Sequence, residues 1–239
     1  MPSRPTSTAF ATCARRTAAR PPRNAAVQLT EGELIAFCDS DDAWLPDRLE
    51  RQLAALERRP DVGMVHGQVE LVDADLQPLP EQNAAHRELF SAAHRYGATY
   101  ASYAFNCRCM SSTILVRREV FEKVGLYDCD LAIEDYDFYL RLLLDFDLQF
   151  IDGPPLAIYR VHQDKTRSEE LSSGQIQTAE KHLALLEQRH DIPDARLARR
   201  NFHLEIAQTW RVLGDRRQAR ASALRALRLG ATQAVRLAL

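Results

Sequence analysis

Three acids in four residues, Asp39-Ser40-Asp41-Asp42, directly follow the apolar run Leu34–Cys38 (LIAFC). In α/β sheets, ligands gather outside the carboxyl ends of strands. If the chain stays extended there, Asp39 and Asp41 face one spot, because side chains alternate along a strand, with their backbones roughly 6–7 Å apart. Two carboxylates so placed suit a hard divalent cation with oxygen ligands. An EF-hand is excluded, because Ala43 and Trp44 stand where that loop needs an oxygen ligand and a glycine. The alternative is an Asp-rich turn, with Asp42 capping a helix that starts at Pro46. A second acidic pair, Glu134-Asp135, opens the run YDFYLRLLL. Such a pair either handles a proton or offsets the helix macrodipole. His162 closes Tyr159-Arg160-Val161-His162 and serves as a third metal ligand only if the fold brings it to Asp41.

These residues need elements to hold them. Leu34–Cys38 is short, apolar and bounded by turn residues, which predicts a strand buried on both faces, as in a parallel sheet. Leu45, Leu49, Leu53 and Leu56 recur at helical spacing, which predicts a helix from Pro46 to about Arg58. Val62–Val72 reads as one strand ending at the Asp73/Asp75 turn. Ser112–Val116 reads as another, and Arg118–Val124 as a short helix stopped by Gly125. Glu134–Phe146 is expected to be helical, with Tyr136, Tyr139, Leu140, Leu143 and Leu144 at core spacing. Two strands, Leu148–Ile151 and Leu156–Val161, flank Gly153-Pro154-Pro155. From Glu169 the pattern is helical, with breaks near Pro193, Gly214 and Gly230.

Composition narrows the class. The chain has 239 residues, 46% apolar and 27% charged, which is ordinary for a globular protein and excludes wholesale disorder. No apolar run reaches the roughly 18 residues of a spanning helix. Five unpatterned cysteines argue against a disulfide framework, and the lone C-x-C at Cys107 and Cys109 against zinc. The net charge of −2 conceals a basic start, an acidic middle and a basic end: residues 1–30 sum to +5 and residues 196–239 to +8. Crowded carboxylates in the middle repel one another unless a cation sits among them. Residues 1–22 lack the apolar core of a secretory signal and are expected to form a poorly ordered basic arm.

Five segments, taken in order, resemble the family 2 glycosyltransferases. They are Arg23-Asn24 with EGELIAFCDSDDAWLPDRLERQL, then GMVHGQVELVD, SSTILVRREVFEKVGLYD, EDYDFYLRLL and IYRVHQDKTRS. The resemblance implies a GT-A fold, a mixed α/β sheet flanked by helices, over residues 23–168. It implies that Asp41 binds Mn²⁺ or Mg²⁺ at the sugar-nucleotide diphosphate and that Asp39 contacts the ribose or shares the metal. Arg23 would sit near the nucleotide base, and His162 would approach the metal or the diphosphate. Asp135 would be the general base for the acceptor hydroxyl, with Glu134 beside it, and the reaction would invert the anomeric centre. Trp44 either stacks on a sugar or packs beneath the acidic turn. The implied partners are a nucleotide-sugar donor and a carbohydrate or lipid-linked acceptor, in cell-surface polysaccharide or glycolipid assembly.

A full-length family member opens with a strand ending in a PTYN-like turn. Here 22 residues precede Arg23 and show no such strand. The expectation is therefore an incomplete GT-A domain, lacking the first part of its donor-binding half, with low activity and with an exposed edge on the LIAFC strand. Residues 169–239 are expected to form an all-helical tail. Within it, Gly214–Leu229 resembles the second helix of a tetratricopeptide repeat, packed on a helix carrying Ala207 and Trp210. The tail's basic charge suits a solvated face or a peripheral contact with an anionic membrane, in a cytoplasmic protein. Nucleic acid is excluded because no aromatic-basic platform accompanies the arginines. The alternative function is a non-catalytic interaction protein acting through this tail. A metal-dependent phosphohydrolase lacks the later Lys and Asp pattern.

Overall fold

The computed structural model describes residues 22–95, 97–105, 109–161 and 165–231. The arm over residues 1–21, His162, Cys107 and Cys13 lie outside them. The elements in order are α1 (Pro22–Leu29), β1 (Leu34–Ala36), β2 (Ala43–Trp44), α2 (Arg48–Arg58), β3 (Val62–Gly67) and β4 (Val69–Val72). There follow α3 (Pro80–Arg95), α4 (Tyr100–Tyr103), a 3₁₀ turn (Ser111–Thr113), β5 (Leu115–Arg117), α5 (Arg118–Val124) and α6 (Glu134–Leu142). The chain continues through β6 (Asp147–Ile151), β7 (Ala157–Arg160), α7 (Lys165–Gln188), α8 (Ala195–Val212) and α9 (Arg216–Arg228).

The strands form two mixed sheets. One has the order β1-β5-β3-β6 and the other β2-β7-β4. In the larger sheet β3 runs parallel to β6 and antiparallel to β5, and all six of its residues are buried. The run LIAFC departs from expectation. Only Leu34–Ala36 is strand; it ends the strand order and pairs antiparallel with β5. Ile35 is buried while Leu34 and Ala36 are half-buried, so the strand is not covered on both faces. Val62–Val72 is two strands in different sheets. The chain crosses between sheets at Gly67-Gln68, and a Cβ on Gly67 would lie 2.6 Å from Leu156 Cδ1. Gly125 ends α5 as its position predicts.

Of the leucine stripe, only Leu56 lies on the inward face of α2. Arg48, Gln52, Ala55 and Leu56 are buried, whereas Leu49 and Leu53 are 36% and 40% exposed. The reason lies in the backbone beneath the helix. Arg48 donates to the carbonyls of Phe37 (3.3 Å) and Ile114 (2.8 Å), and its Nε to Gln52 Oε1 (2.8 Å). Gln52 passes the chain of bonds on to the carbonyl of Thr113 (2.7 Å). Buried carbonyls in non-ladder segments need donors, and these two side chains supply them.

The helices α7 and α8 join the same interior, and α9 packs on α8 in a separate cluster. Ile176, Ala179, Leu186, Phe202 and Ile206 belong to one apolar cluster with Met64, Val116, Tyr136 and Phe138. Between α8 and α9 the packing is by small residues, Ala207, Ala223 and Ala226 around Leu204. Asp215 caps α9 by accepting from the backbone N–H of Gln218 at 3.0 Å.

Asp137 on α6 is fully buried and is satisfied by three cationic or hydrogen-bonding partners. Arg141 Nε reaches Oδ2 at 2.8 Å, and Lys181 Nζ and His182 Nε2 reach Oδ1 at 2.6 and 3.1 Å. Burial alone would raise the Asp137 pKa, but His182, Arg141 and Lys181 hold it well below the usual carboxylate range. Burial lowers the His182 pKa more than Asp137 raises it, so the ring is neutral and donates from Nε2. Both depressed values give one sign. The stability they contribute is complete at neutral pH. It falls as pH drops below about 6.5 for His182 and about 3.9 for Asp137, the unfolded values. The melting temperature of wild type should therefore exceed that of Asp137→Asn most at neutral pH, with the gap closing in acid. A gap that widens from about pH 5 to about pH 3 would contradict the assignment.

Candidate active site

The acidic turn after β1 is not extended. Asp42 N–H donates to the Asp39 carbonyl at 3.1 Å, closing a tight turn over residues 39–42. The alternation expected of Asp39 and Asp41 does not apply, because side-chain alternation needs a pleated chain. Asp42 does not cap α2, which begins at Arg48 after Asp47. It holds the turn to its surroundings instead. Its Oδ2 accepts from Ser112 Oγ at 2.5 Å and its Oδ1 from the backbone N–H of Arg160 at 3.1 Å. Ser112 Oγ in turn accepts from Asp39 N–H at 3.1 Å. Burial raises the Asp42 pKa, against these two hydrogen bonds.

Trp44 is half-buried and packed on one side. Its indole N–H donates to the Phe37 carbonyl at 3.1 Å, and the Arg48 guanidinium carbon lies 4.2 Å from its ring centroid.

Arg23 brings the two acidic segments together. Its Nη2 meets Asp39 Oδ1 at 2.7 Å, while its Nη1 lies 3.5 Å from Glu134 Oε1 and 4.0 Å from Asp135 Oδ2. The guanidinium also lies 5.9 Å from the Tyr127 ring. Burial opposes the Arg23 charge, but Asp39 and Asp135 more than offset it and hold the pKa above the ordinary arginine value. The sequence expectation of Arg23 beside a nucleotide base thus meets a side chain engaged by three carboxylates. Among the described residues, Arg23 is one cation set against three carboxylates.

Asp135 is oriented at both oxygens. Oδ2 accepts from Ser111 Oγ at 2.9 Å and Oδ1 from the backbone N–H of Tyr136 at 2.8 Å. Ser111 Oγ is 3.5 Å from the hydroxyl of Tyr139, whose pKa burial pushes well up. Ser111, Ser112 and Arg48 escaped the sequence reading. The serine pair opening SSTILVRREV, and the i,i+4 spacing of Arg48 and Gln52 behind the acidic turn, were the available signals.

Among the described residues no three His, Cys, Asp or Glu side chains converge as a metal cage. His162 is outside them; Arg160, two positions earlier, is the residue that binds Asp42. Asp39 and Asp41 on one turn supply hard oxygen donors, with Asp39 already paired to Arg23. That set fits a cation which completes its shell with substrate phosphates, the habit of Mg²⁺, rather than one held by protein alone. Cys38 and Cys129 are free thiols. No helix of the described residues is long and apolar enough to cross a membrane.

The fold and sequence have known counterparts. A mannosyltransferase from Pyrobaculum calidifontis, solved with GDP-Man and Mn²⁺, superposes with a TM-score of 0.55 at 16% identity, covering 90% of this chain and 56% of that one. That likeness is one of fold, a mixed α/β architecture similar to GT-A glycosyltransferases. An uncharacterized glycosyltransferase of Bacillus subtilis (YwdF) is 28% identical over 125 residues, which are 52% of this chain and 44% of that one. The amylovoran biosynthesis glycosyltransferase AmsB of Erwinia amylovora is 27% identical over 148 residues, 58% of this chain and 46% of that one. The matched segment thus spans less than half the length of either relative. The family model "Glycosyltransferase like family 2" matches residues 10–175, more than half of the sequence, and the chain belongs to that family.

Proposed function

We propose that this chain transfers a sugar from a nucleotide-diphosphate donor to an acceptor hydroxyl, with inversion, in polysaccharide or glycolipid assembly. The observation that supports it is the Arg23 bridge, which sets the acidic turn after β1 against the Glu134-Asp135 pair at the start of α6. The relatives' names give polysaccharide biosynthesis as the setting.

Each residue has a part in that reading. Asp135 accepts the proton of the attacking hydroxyl, which is too weak an acid to react unaided. Ser111 and the Tyr136 N–H fix the carboxylate, leaving it little freedom to turn away. Glu134 keeps Arg23 in place beside it. Asp41 and Asp39 would hold Mn²⁺ or Mg²⁺ together with the donor diphosphate, with His162 as a further ligand. When bound, the cation supplies neutralising charge for the departing nucleoside diphosphate. Arg23, freed from Asp39, is placed to pair with phosphate. The exposed Arg216, Arg217, Arg220, Arg225 and Arg228 of α9 suit contact with an anionic lipid surface beside a lipid-linked acceptor.

The test is donor-dependent stabilisation and turnover. UDP-glucose or GDP-mannose at about 100 times its Kd, with Mn²⁺, should stabilise the chain by about 2.7 kcal/mol, and Asp41→Ala should abolish the shift. Mn²⁺ alone should give little, since the site lacks the phosphates. No thermal shift and no released nucleoside diphosphate across common donors would refute the reading.

A further inference from the structure

The residues that set the Glu134-Asp135 pair are not confined to the segment that carries the family resemblance. The family match ends at residue 175, in the first half of α7. Across that point α7 runs along the loop 128–133 that leads into α6 and touches it at three successive levels, the first just inside the match and the other two beyond it. At Gly174 the helix backbone comes so close that an added Cβ would lie 2.8 Å from Ile133 Cγ1 and 3.0 Å from Ala132 Cβ. One turn on, Gln177 Nε2 donates to the Asp130 carbonyl at 3.4 Å. A further turn on, Lys181 Nζ bridges Asp128 (2.8 Å) and the buried Asp137 (2.6 Å). His182 completes the set, with Nε2 on Asp137 at 3.1 Å and Nδ1 facing the Tyr100 hydroxyl at 3.0 Å.

Asp137 lies two residues beyond Asp135 on the same helix. A buried carboxylate is costly unless paired, and the cost of losing one partner is steep, so α6 is fixed in rotation and position by what Asp137 binds. Arg141 pairs with Asp137 from within α6, so it cannot fix the helix against its neighbours by that contact alone. Lys181 and His182 supply the cross-helix hold.

We infer that α7 is a brace for the acceptor-side acid pair, and that Gly174, Lys181 and His182 are positioning residues acting through Ile133 and Asp137. This rests on the proposed role of Asp135. The helical tail is then part of the transfer site, although it holds no reacting group. The glycine follows directly: only a side chain without Cβ lets α7 approach the residue before Glu134 this closely.

Hydrogen exchange on the full chain tests the brace without activity, and kinetics test it with activity. Lys181→Met changes a side chain that is 38% exposed, so global unfolding is not forced. Gly174→Ala presses on Ile133 by an independent route. Both variants should speed amide exchange over residues 128–137 by about tenfold, with β3 and β6 unchanged. Both should lower kcat by about tenfold at an unaltered donor KM, the signature of misplacement rather than lost binding. Exchange that is unchanged over 128–137, or raised equally in β3 and β6, overturns the brace. A wild-type chain that transfers no sugar sinks the catalytic reading alone, and the exchange pattern still decides the brace.

Discussion

Asp135→Asn is expected to slow sugar transfer by about 10²–10⁴-fold, the range a positioned general base contributes. The substitution is nearly isosteric. Its amide oxygen can accept from the Tyr136 N–H while its NH2 donates to Ser111 Oγ, so the start of α6 should keep its place. What is lost is the capacity to take a proton. The melting temperature should stay within about 2 °C of wild type, and the donor KM should hold, because Asp39 and Asp41 are untouched. Single-turnover assays at saturating donor measure the chemical step directly. Glu134→Gln should cost much less, since Glu134 meets Arg23 only at 3.5 Å and is not held by Ser111. A loss below tenfold for Asp135→Asn would move the base to another residue.

The second large effect is on stability. Arg48→Met should destabilise the fold by about 3–5 kcal/mol, from buried acceptors left without their donor at about 1–3 kcal/mol each. Arg48 is fully buried, and burial pulls its pKa down to about 9. Without it the carbonyls of Phe37 and Ile114 lose a donor, Gln52 loses its partner, and Trp44 loses the cation over its ring. At about 2–4 °C per kcal/mol for a chain of this size, the melting temperature should fall by about 10 °C. Arg48→Lys should recover little, because one ammonium cannot span three acceptors arranged around a planar fork. A drop of under 1 kcal/mol in urea denaturation would show that α2 is held by its apolar contacts instead.

Arg48 also marks where the sequence was hard to read. Periodicity counts apolar residues, and the leucine spacing that predicts α2 gives no sign that Arg48 and Gln52 face inward beside Ala55 and Leu56. They do so because they lie over backbone that has no ladder partner, and no hydropathy pattern encodes the needs of a neighbouring loop. The same limit explains the strand Val62–Val72. Continuous burial reads as one element, whereas a change of sheet at Gly67-Gln68 is a matter of tertiary approach. Whether Asp39–Asp42 is extended or a turn was left open by the sequence, because its shape depends on Ser112 and Arg160, more than 60 positions away. By contrast α5, β6, β7 and the three long helices were legible, since each is bounded by Gly, Pro or an Asp cap in its own sequence. The acidic residues of the site were legible as types and spacing. Their grouping around Arg23 was not, because it joins positions 23, 39 and 134 through folding alone.

That grouping has a kinetic consequence. A single guanidinium is shared between anions on two segments, so any incoming anion that draws it away from Asp39 also slackens its hold on Glu134 and Asp135. If the proposed transfer takes place here, an arriving pyrophosphate would therefore loosen the Glu134-Asp135 pair before the second substrate lands. Ordered binding, first reactant then second, would then emerge from electrostatics.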